Sequence, residues 1–276
     1  MKKCTLPEKE FQKIHMNFKN TSYIIMGGTT GMGLSAAMAL KEKGANLLVI
    51  GRNDESCKKA VKLLGHQCIS LSGDACDPEV AKTAVKIAQD AFQDITGLFH
   101  VAGGSGRKWG DGPLDKMSLE GWNKTLELNL TSMMLSNQAM VNYFLEHRKE
   151  GVILNMGSVL GYSPSPKYFT THAYASAKSA IIGFSKSIAS YYAEHNIRVN
   201  VIAPSLFTTP MAQRANEDKE ILNFLKTKQP LDGGRPGLSE DINSAVLMFL
   251  HPSSKFITGQ VLAVDGGWTL SDGQYQ

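Results

Sequence analysis

Long apolar runs are missing from this 276-residue sequence. A membrane-spanning helix needs about 20 consecutive apolar residues, and no stretch approaches that, so no membrane association is expected. Cysteine is scarce. Cys4, Cys57, Cys68 and Cys76 are the only four, and no two share a Cys-x-x-Cys spacing. Four in so long a chain do not suggest a disulfide scaffold, which points to a reduced, cytoplasmic protein. The 7 histidines show no ligand-like spacing, and no metal is expected. Charge of one sign is not in excess either. The net charge is +4, and Lys and Arg alternate with acids without forming a basic arm, which argues against nucleic-acid binding. The opening MKKCTLPEKEFQKIHMNFKN begins basic but lacks an apolar core, so no secretory signal is expected. Residues 1–19 read as a polar N-terminal extension, partly disordered.

What is present is a chain that is 42% hydrophobic and 20% charged, ordinary for a globular protein with a large core. Short apolar runs alternate with helix-like stretches. The runs are Tyr23–Met26, Leu47–Ile50, Cys68–Leu71, Leu98–Ala102, Val152–Asn155, Val199–Ile202 and Gln260–Val264. Helical patterns lie at 31–43 and at about 54–64, 78–93, 118–148, 174–194 and 239–250. Strands with few polar residues, each followed by a helix, predict a parallel sheet covered on both faces. The expectation is an α/β, doubly wound, Rossmann-type fold with seven parallel strands flanked by helices. The rhythm runs without a composition break, so residues 20–276 read as a single domain. Residues 205–238 fall outside it and follow a strand's C-terminal end, which suggests a lid over a substrate pocket.

The first strand runs into Met26-Gly-Gly-Thr-Thr-Gly-Met-Gly33 and then a helix, so Gly27, Gly31 and Gly33 follow a G-x3-G-x-G spacing. Glycines there let the backbone approach a pyrophosphate, which rests on the helix N-terminus. At the end of the second strand, an acidic side chain would bind the ribose hydroxyls of NAD. Here Gly51 and Arg52 come instead. A 2′-phosphate is then not repelled and can pair with Arg52, which favours NADP(H) over NAD(H). Arg52 as a plain surface residue is the competing reading. Further on, HAYASAK at 172–178 sets Tyr174 and Lys178 one helical turn apart. Alone, that spacing is a common accident and reads as a packed aromatic beside a solvated lysine; an acid–base pair needs support from the rest of the chain.

Taken together, the motifs resemble the short-chain dehydrogenase/reductase family over nearly the whole chain. They are GGTTGMG at 27–33, Asp74 after the third strand, VAGG at 101–104, Asn129 in LELNLTS, Ser158 in NMGSV, YASAK at 174–178, RVNVIAPS at 198–205 and VDGG at 264–267. The resemblance implies that Tyr174 is the catalytic acid–base. Lys178 would lower its pKa and bind the nicotinamide ribose, Ser158 would polarise the substrate carbonyl, and Asn129 would hold a water in a proton relay. Asp74 would contact the adenine and Thr209 the nicotinamide carboxamide. Thr29, Met32, Ala102, Gly103, Pro204 and Phe207 complete the candidate cofactor contacts. A homotetramer or homodimer is implied, with helices near 131–148 and 174–194 packing across subunits. Simpler readings stand beside these: Ser158 as a loop cap, Asn129 bonded to backbone, Asp74 in a turn, and Thr209 as a helix cap. The chemistry is consistent with the family. Hydride delivery to a ketone leaves charge on oxygen, which a neutral tyrosine can protonate and a nearby ammonium can favour.

Three departures from the family pattern stand out. Val101 replaces an asparagine that helps tie the central sheet, and Ser205 replaces a glycine. Ser158 and Tyr174 lie 16 residues apart, further than is usual, and the added residues in 162–172 would form a pocket wall. The expected activity is an NADP(H)-dependent exchange of ketone and secondary alcohol. On resemblance, the substrate is a 3-oxoacyl thioester on acyl carrier protein or coenzyme A. A sugar, polyol or steroid dehydrogenase is the alternative, and a non-catalytic dinucleotide-binding regulator stands in another class. Arg107 and Lys108 could greet an anionic carrier or be a solvated pair.

Overall fold

The computed structural model describes residues 16–274, so most of the extension expected at 1–19 lies outside the described residues. Its described part is anchored. Phe18 is fully buried and meets Tyr23 and His251 edge-on, with ring centroids 6.0 and 5.0 Å apart.

Seven strands form one sheet: β1 (Ser22–Met26), β2 (Asn46–Gly51), β3 (Cys68–Ser72), β4 (Gly97–His100), β5 (Gly151–Met156), β6 (Ile197–Pro204) and β7 (Val261–Val264). Their order is β3-β2-β1-β4-β5-β6-β7, and every pairing is parallel. Parallel neighbours need crossover connections. These contain α1 (Gly31–Glu42), α2 (Asp54–Leu64), α3 (Pro78–Phe92), α4 (Leu119–Leu126), α5 (Ser132–Glu146), α6 (His172–Tyr191), α7 (Gln213–Glu217), α8 (Lys219–Lys228) and α9 (Asn243–Leu250). The expected doubly wound Rossmann-type sheet is therefore the observed one. Its order reverses between β1 and β4, which opens a crevice at the C-terminal strand ends.

Strand side chains alternate between two covered faces. Tyr23 and Ile25 join Leu47, Val49 and Phe99 under Leu40 of α1 and Phe249 of α9. Ile24 and Met26 join Leu48, Ile50 and Leu98 under Ala84 of α3 and Phe144 of α5. Each such fully buried apolar side chain contributes about 1.5–3 kcal/mol, and burial on both faces is why the strands lack polar alternation. Local caps set several helix starts. Asn53, Asp77, Ser118 and Asp218 each accept a backbone N–H at the first turn of α2, α3, α4 and α8, worth about 1 kcal/mol apiece.

Two boundaries differ from the sequence pattern. The run Leu98–Ala102 leaves the sheet after His100, because the N–H groups of Val101 and Ala102 both turn onto the Met26 carbonyl. The helix expected over 118–148 is broken by a π-turn at Glu127–Thr131, between α4 and α5. That turn holds Asn129, whose amide binds the backbone of Gly104 and Thr125. Such a bulge commonly marks a functional position. Segment 205–238 carries α7 and α8 and is clasped at its base. Thr208 N–H donates to Gly237 O at 2.7 Å and Gly237 N–H to Leu206 O at 2.9 Å.

Candidate active site

A cavity of about 810 Å³ opens at the C-terminal edge of the sheet. All the candidate residues named above line it except Gly33 and Asn129, which support it from behind. Gly27 has φ +87°, and a Cβ there would lie 2.7 Å from Ala102 N. A Cβ on Gly33 would lie 2.1 Å from the Gly27 carbonyl oxygen. The loop therefore presents backbone, not side chains, to the cavity. Thr30 starts α1 without a side-chain cap, and the first turn carries no acid, so N–H groups and the positive dipole end are left for an anion. Gly51 has a packing reason of its own, since a Cβ would sit 2.2 Å from Thr29 Oγ1. Arg52 follows on the cavity wall.

These features fit a dinucleotide. A further observation concerns Ser205, whose buried Oγ has no hydrogen-bond partner among the described residues and lies on the same wall. Such an orphan suits the polar end of a bound nicotinamide. Ser205 is not among the positive-φ residues, so replacing glycine there introduces no backbone strain. Thr209 occupies the capping position of a short turn, but its hydroxyl makes no cap bond. Asp74 keeps its turn role, accepting Cys76 N–H at 3.0 Å, while also lining the cavity.

Ser158, Tyr174 and Lys178 come together on this cavity. Ser158 follows β5 and accepts Leu160 N–H at 3.2 Å, so it caps a turn and faces the pocket at once. Lys178 is buried, and its Nζ donates to Met156 O at 2.9 Å, 5.5 Å from the Tyr174 ring centroid. Burial pushes Lys178 down to about 8. It pushes the Tyr174 phenol up to about 12, with the Ser158 hydroxyl pulling the other way. The ammonium was expected to draw Tyr174 down. In this geometry burial outweighs the Ser158 hydrogen bond and the tyrosine is raised. Asn129 Nδ2 donates to Gly104 O and Thr125 O, each at 2.9 Å, and its Oδ1 accepts Gly104 N–H at 3.1 Å. The backbone-bonded reading of Asn129 is thus met, with one Oδ1 lone pair left over. Asn129 Oδ1 and Lys178 Nζ flank Gly103, lying 2.7 and 3.6 Å from where its Cβ would be.

Sequence reasoning missed two residues here. Asp111 is buried, and its Oδ1 and Oδ2 accept the N–H groups of Ala173 and Tyr174, each at 3.0 Å. It caps α6 from a distant loop, where the adjacent Thr171 makes no side-chain cap bond. His100 is buried at the end of β4. Its Nε2 lies 3.0 Å from Ala102 O and its Nδ1 2.8 Å from Ser136 Oγ. A carbonyl only accepts, so Nε2 carries the proton. His100 thereby ties β4 to α5, beside the position where Val101 lacks the usual amide. The longer loop before α6 does reach the pocket, with Phe169 and Thr171 on its wall.

The sheet and this cavity define an α/β enzyme built around a dinucleotide. Residues 27–269 match the family model described as Enoyl-(Acyl carrier protein) reductase. The chain is 33% identical over 252 residues to the 3-oxoacyl-(acyl-carrier-protein) reductase FabG of Chlamydia trachomatis serovar D, covering 90% of this chain and 97% of that one. It is 30% identical over 247 residues to the 2,5-dichloro-2,5-cyclohexadiene-1,4-diol dehydrogenase of Sphingobium indicum, covering 89% of this chain and 96% of that one. The structure of a short-chain type dehydrogenase/reductase from Mycobacterium ulcerans superposes with a TM-score of 0.85 at 26% identity, covering 92% of each chain. The protein belongs to the short-chain dehydrogenase/reductase family, oxidoreductases that work with NAD(P)(H).

Proposed function

We propose that the protein is an NADP(H)-dependent oxidoreductase interconverting a ketone and a secondary alcohol, with Tyr174 as the acid–base group. The observation that carries this is the convergence of Ser158, Tyr174 and Lys178 on the cavity that also holds the glycine loop. When bound, the nicotinamide supplies or accepts the hydride. The Ser158 hydroxyl donates a hydrogen bond to the carbonyl oxygen and orients it. Tyr174, raised to about 12, holds its proton at neutral pH, the state from which it can donate to that oxygen. Lys178, at about 8, is mostly charged at neutral pH and stabilises the tyrosinate left behind. A water between Lys178 and the free lone pair of Asn129 would return a proton from solvent. Gly51 and Arg52 support NADP(H), and α7 and α8 serve as a lid over the substrate.

For the substrate, the likeness to a 3-oxoacyl-(acyl-carrier-protein) reductase supports a 3-oxoacyl thioester. The diol dehydrogenase relative supports a cyclic alcohol as the second reading. A homodimer or homotetramer formed through α5 and α6 goes with the family reading, and light scattering reads it.

The test follows loss of reduced nicotinamide absorbance with NADPH and NADH across 3-oxoacyl thioesters, enoyl thioesters, cyclic diols and steroid ketones. Tyr174→Phe should lower kcat by about 10²–10⁴-fold while cofactor binding, read by fluorescence, is retained. Turnover that survives in this variant with cofactor bound removes Tyr174 from its role. Arg52→Ala should raise the KM for NADPH and leave that for NADH unchanged.

A further inference from the structure

Hydride transfer leaves one part of the cavity unused. The wall beyond Ser158 is apolar, formed by Leu160, Phe169, Leu206, Ala215 and Trp268. Trp268 is buried and meets Phe169 and Phe224 edge-on at 5.7 and 5.8 Å. At the rim stand two guanidinium groups, Arg107 from the turn after β4 and Arg214 from α7, and both line the cavity. Elements far apart in sequence bring these like charges together. Burial and then the charge of Arg214 both hold Arg107 below its ordinary range.

Neither arginine forms an ion pair among the described residues. The acid that acts on Arg107 is Asp111, but both its oxygens are engaged by the N–H groups of Ala173 and Tyr174. Arg214 makes only a long bond, 3.4 Å, to Tyr168 O. That bond fixes it to the loop before α6, the loop that supplies Phe169 to the substrate wall. The cofactor's own phosphates have a separate cradle in the glycine loop and at Arg52. Two forks without an ion-pair contact, facing one cavity, match the geometry of a carboxylate or phosphate, and an anion there would relieve their mutual repulsion.

We infer that Arg107 and Arg214 form a subsite for an anionic group carried by the substrate whose carbonyl sits at Ser158 and Tyr174. The inference rests on the proposed placement of that carbonyl. The anion is either a carboxylate on the substrate itself or the phosphate of a carrier arm bearing an acyl group. The apolar wall takes the carbon chain between the two ends.

Matched carbonyl pairs separate the sources. Oxo acids of increasing chain length are compared with their methyl esters, and 3-oxoacyl-coenzyme A with the same acyl group on N-acetylcysteamine, which lacks phosphate. The wild-type enzyme should prefer the anionic member of one pair. Arg107→Gln and Arg214→Gln should each cut kcat/KM for that member by about tenfold. Turnover of the neutral member and the KM for cofactor should be unchanged. Equal use of anionic and neutral members in both series overturns the subsite while leaving the oxidoreductase reading intact. A loss that falls on the cofactor KM also overturns it. Should no carbonyl be turned over, binding of the same oxo acids and coenzyme A thioesters to cofactor-saturated protein decides, read by the fluorescence of Trp109 and Trp268. Weaker binding in the double variant upholds the subsite although the proposed reaction fails, and unchanged binding overturns it.

Discussion

At the N-terminus of α6 a single carboxylate does the work that a neighbouring side chain does for other helices. Asp111 accepts two N–H groups, one of them from Tyr174 itself. Its partners lie 62 and 63 residues away, so no local spacing announces it. Tyr174 and Lys178, by contrast, share one turn and were legible in the sequence. Asp111→Ala should cost about 1.5–3 kcal/mol, the worth of hydrogen bonds to a charged group, read as a lower denaturant midpoint at unchanged slope. It should also lower kcat with little change in cofactor KM, because the phenol it steadies is displaced. His100 makes a second prediction. Burial, with a contribution from the Lys178 charge, pushes it from 6.5 to about 3. Between those values the unfolded chain binds a proton that the native protein refuses, so stability rises with pH. Its contribution is full above pH 6.5 and falls on acidification toward 3, by up to about 1.4 kcal/mol per pH unit. Urea titrations from pH 4 to 7 should show a shallower decline for His100→Asn than for the wild type. Parallel slopes would remove His100 as the cause.

Among the elements, the turn from β1 into α1 is the least tolerant of change. A methyl on Gly33 would meet the Gly27 carbonyl oxygen, a backbone atom, at 2.1 Å, and no rotamer relieves that contact. Gly33→Ala should therefore weaken NADPH binding more than tenfold, measured by titration, while circular dichroism still reports the α/β content. Tight binding in this variant would show that the loop relaxes. The glycine pattern revealed this element because its spacing and its steric cause are both local. The π-turn at Glu127–Thr131 was hidden for the opposite reason. Residues 118–148 carry a continuous helical pattern, and the break comes from Asn129 bonding to Gly104, a contact that only the folded chain supplies. Likewise, Leu98–Ala102 reads as one apolar run, but its last two N–H groups are claimed by Met26.

For the molecule as a whole, strand–helix alternation made the sheet readable, since burial on both faces leaves a mark in every strand. The rim that pairs Arg107 with Arg214 left no such mark, because it joins the β4 turn to α7. No helix among the described residues is long and apolar enough to cross a membrane. The cavity is large enough that its occupant should govern stability. Saturation at about 100 times Kd adds about 2.7 kcal/mol, so NADPH should raise Tm by several degrees, and NADH by less at equal concentration. Equal shifts would count against the role given to Arg52.

The clasp between Leu206, Thr208 and Gly237 makes segment 208–236 a cassette. Its two ends are already held together by backbone hydrogen bonds, so a replacement of different length meets only the slowly rising entropy of a longer loop. The bonds belong to main-chain atoms and survive any exchange of the side chains between them. Exchanging residues 210–236 of this piece between relatives, which keeps Thr209, should carry substrate preference with it while β6, Ser158, Tyr174 and Lys178 stay in place, as kcat/KM across the carbonyl series would show.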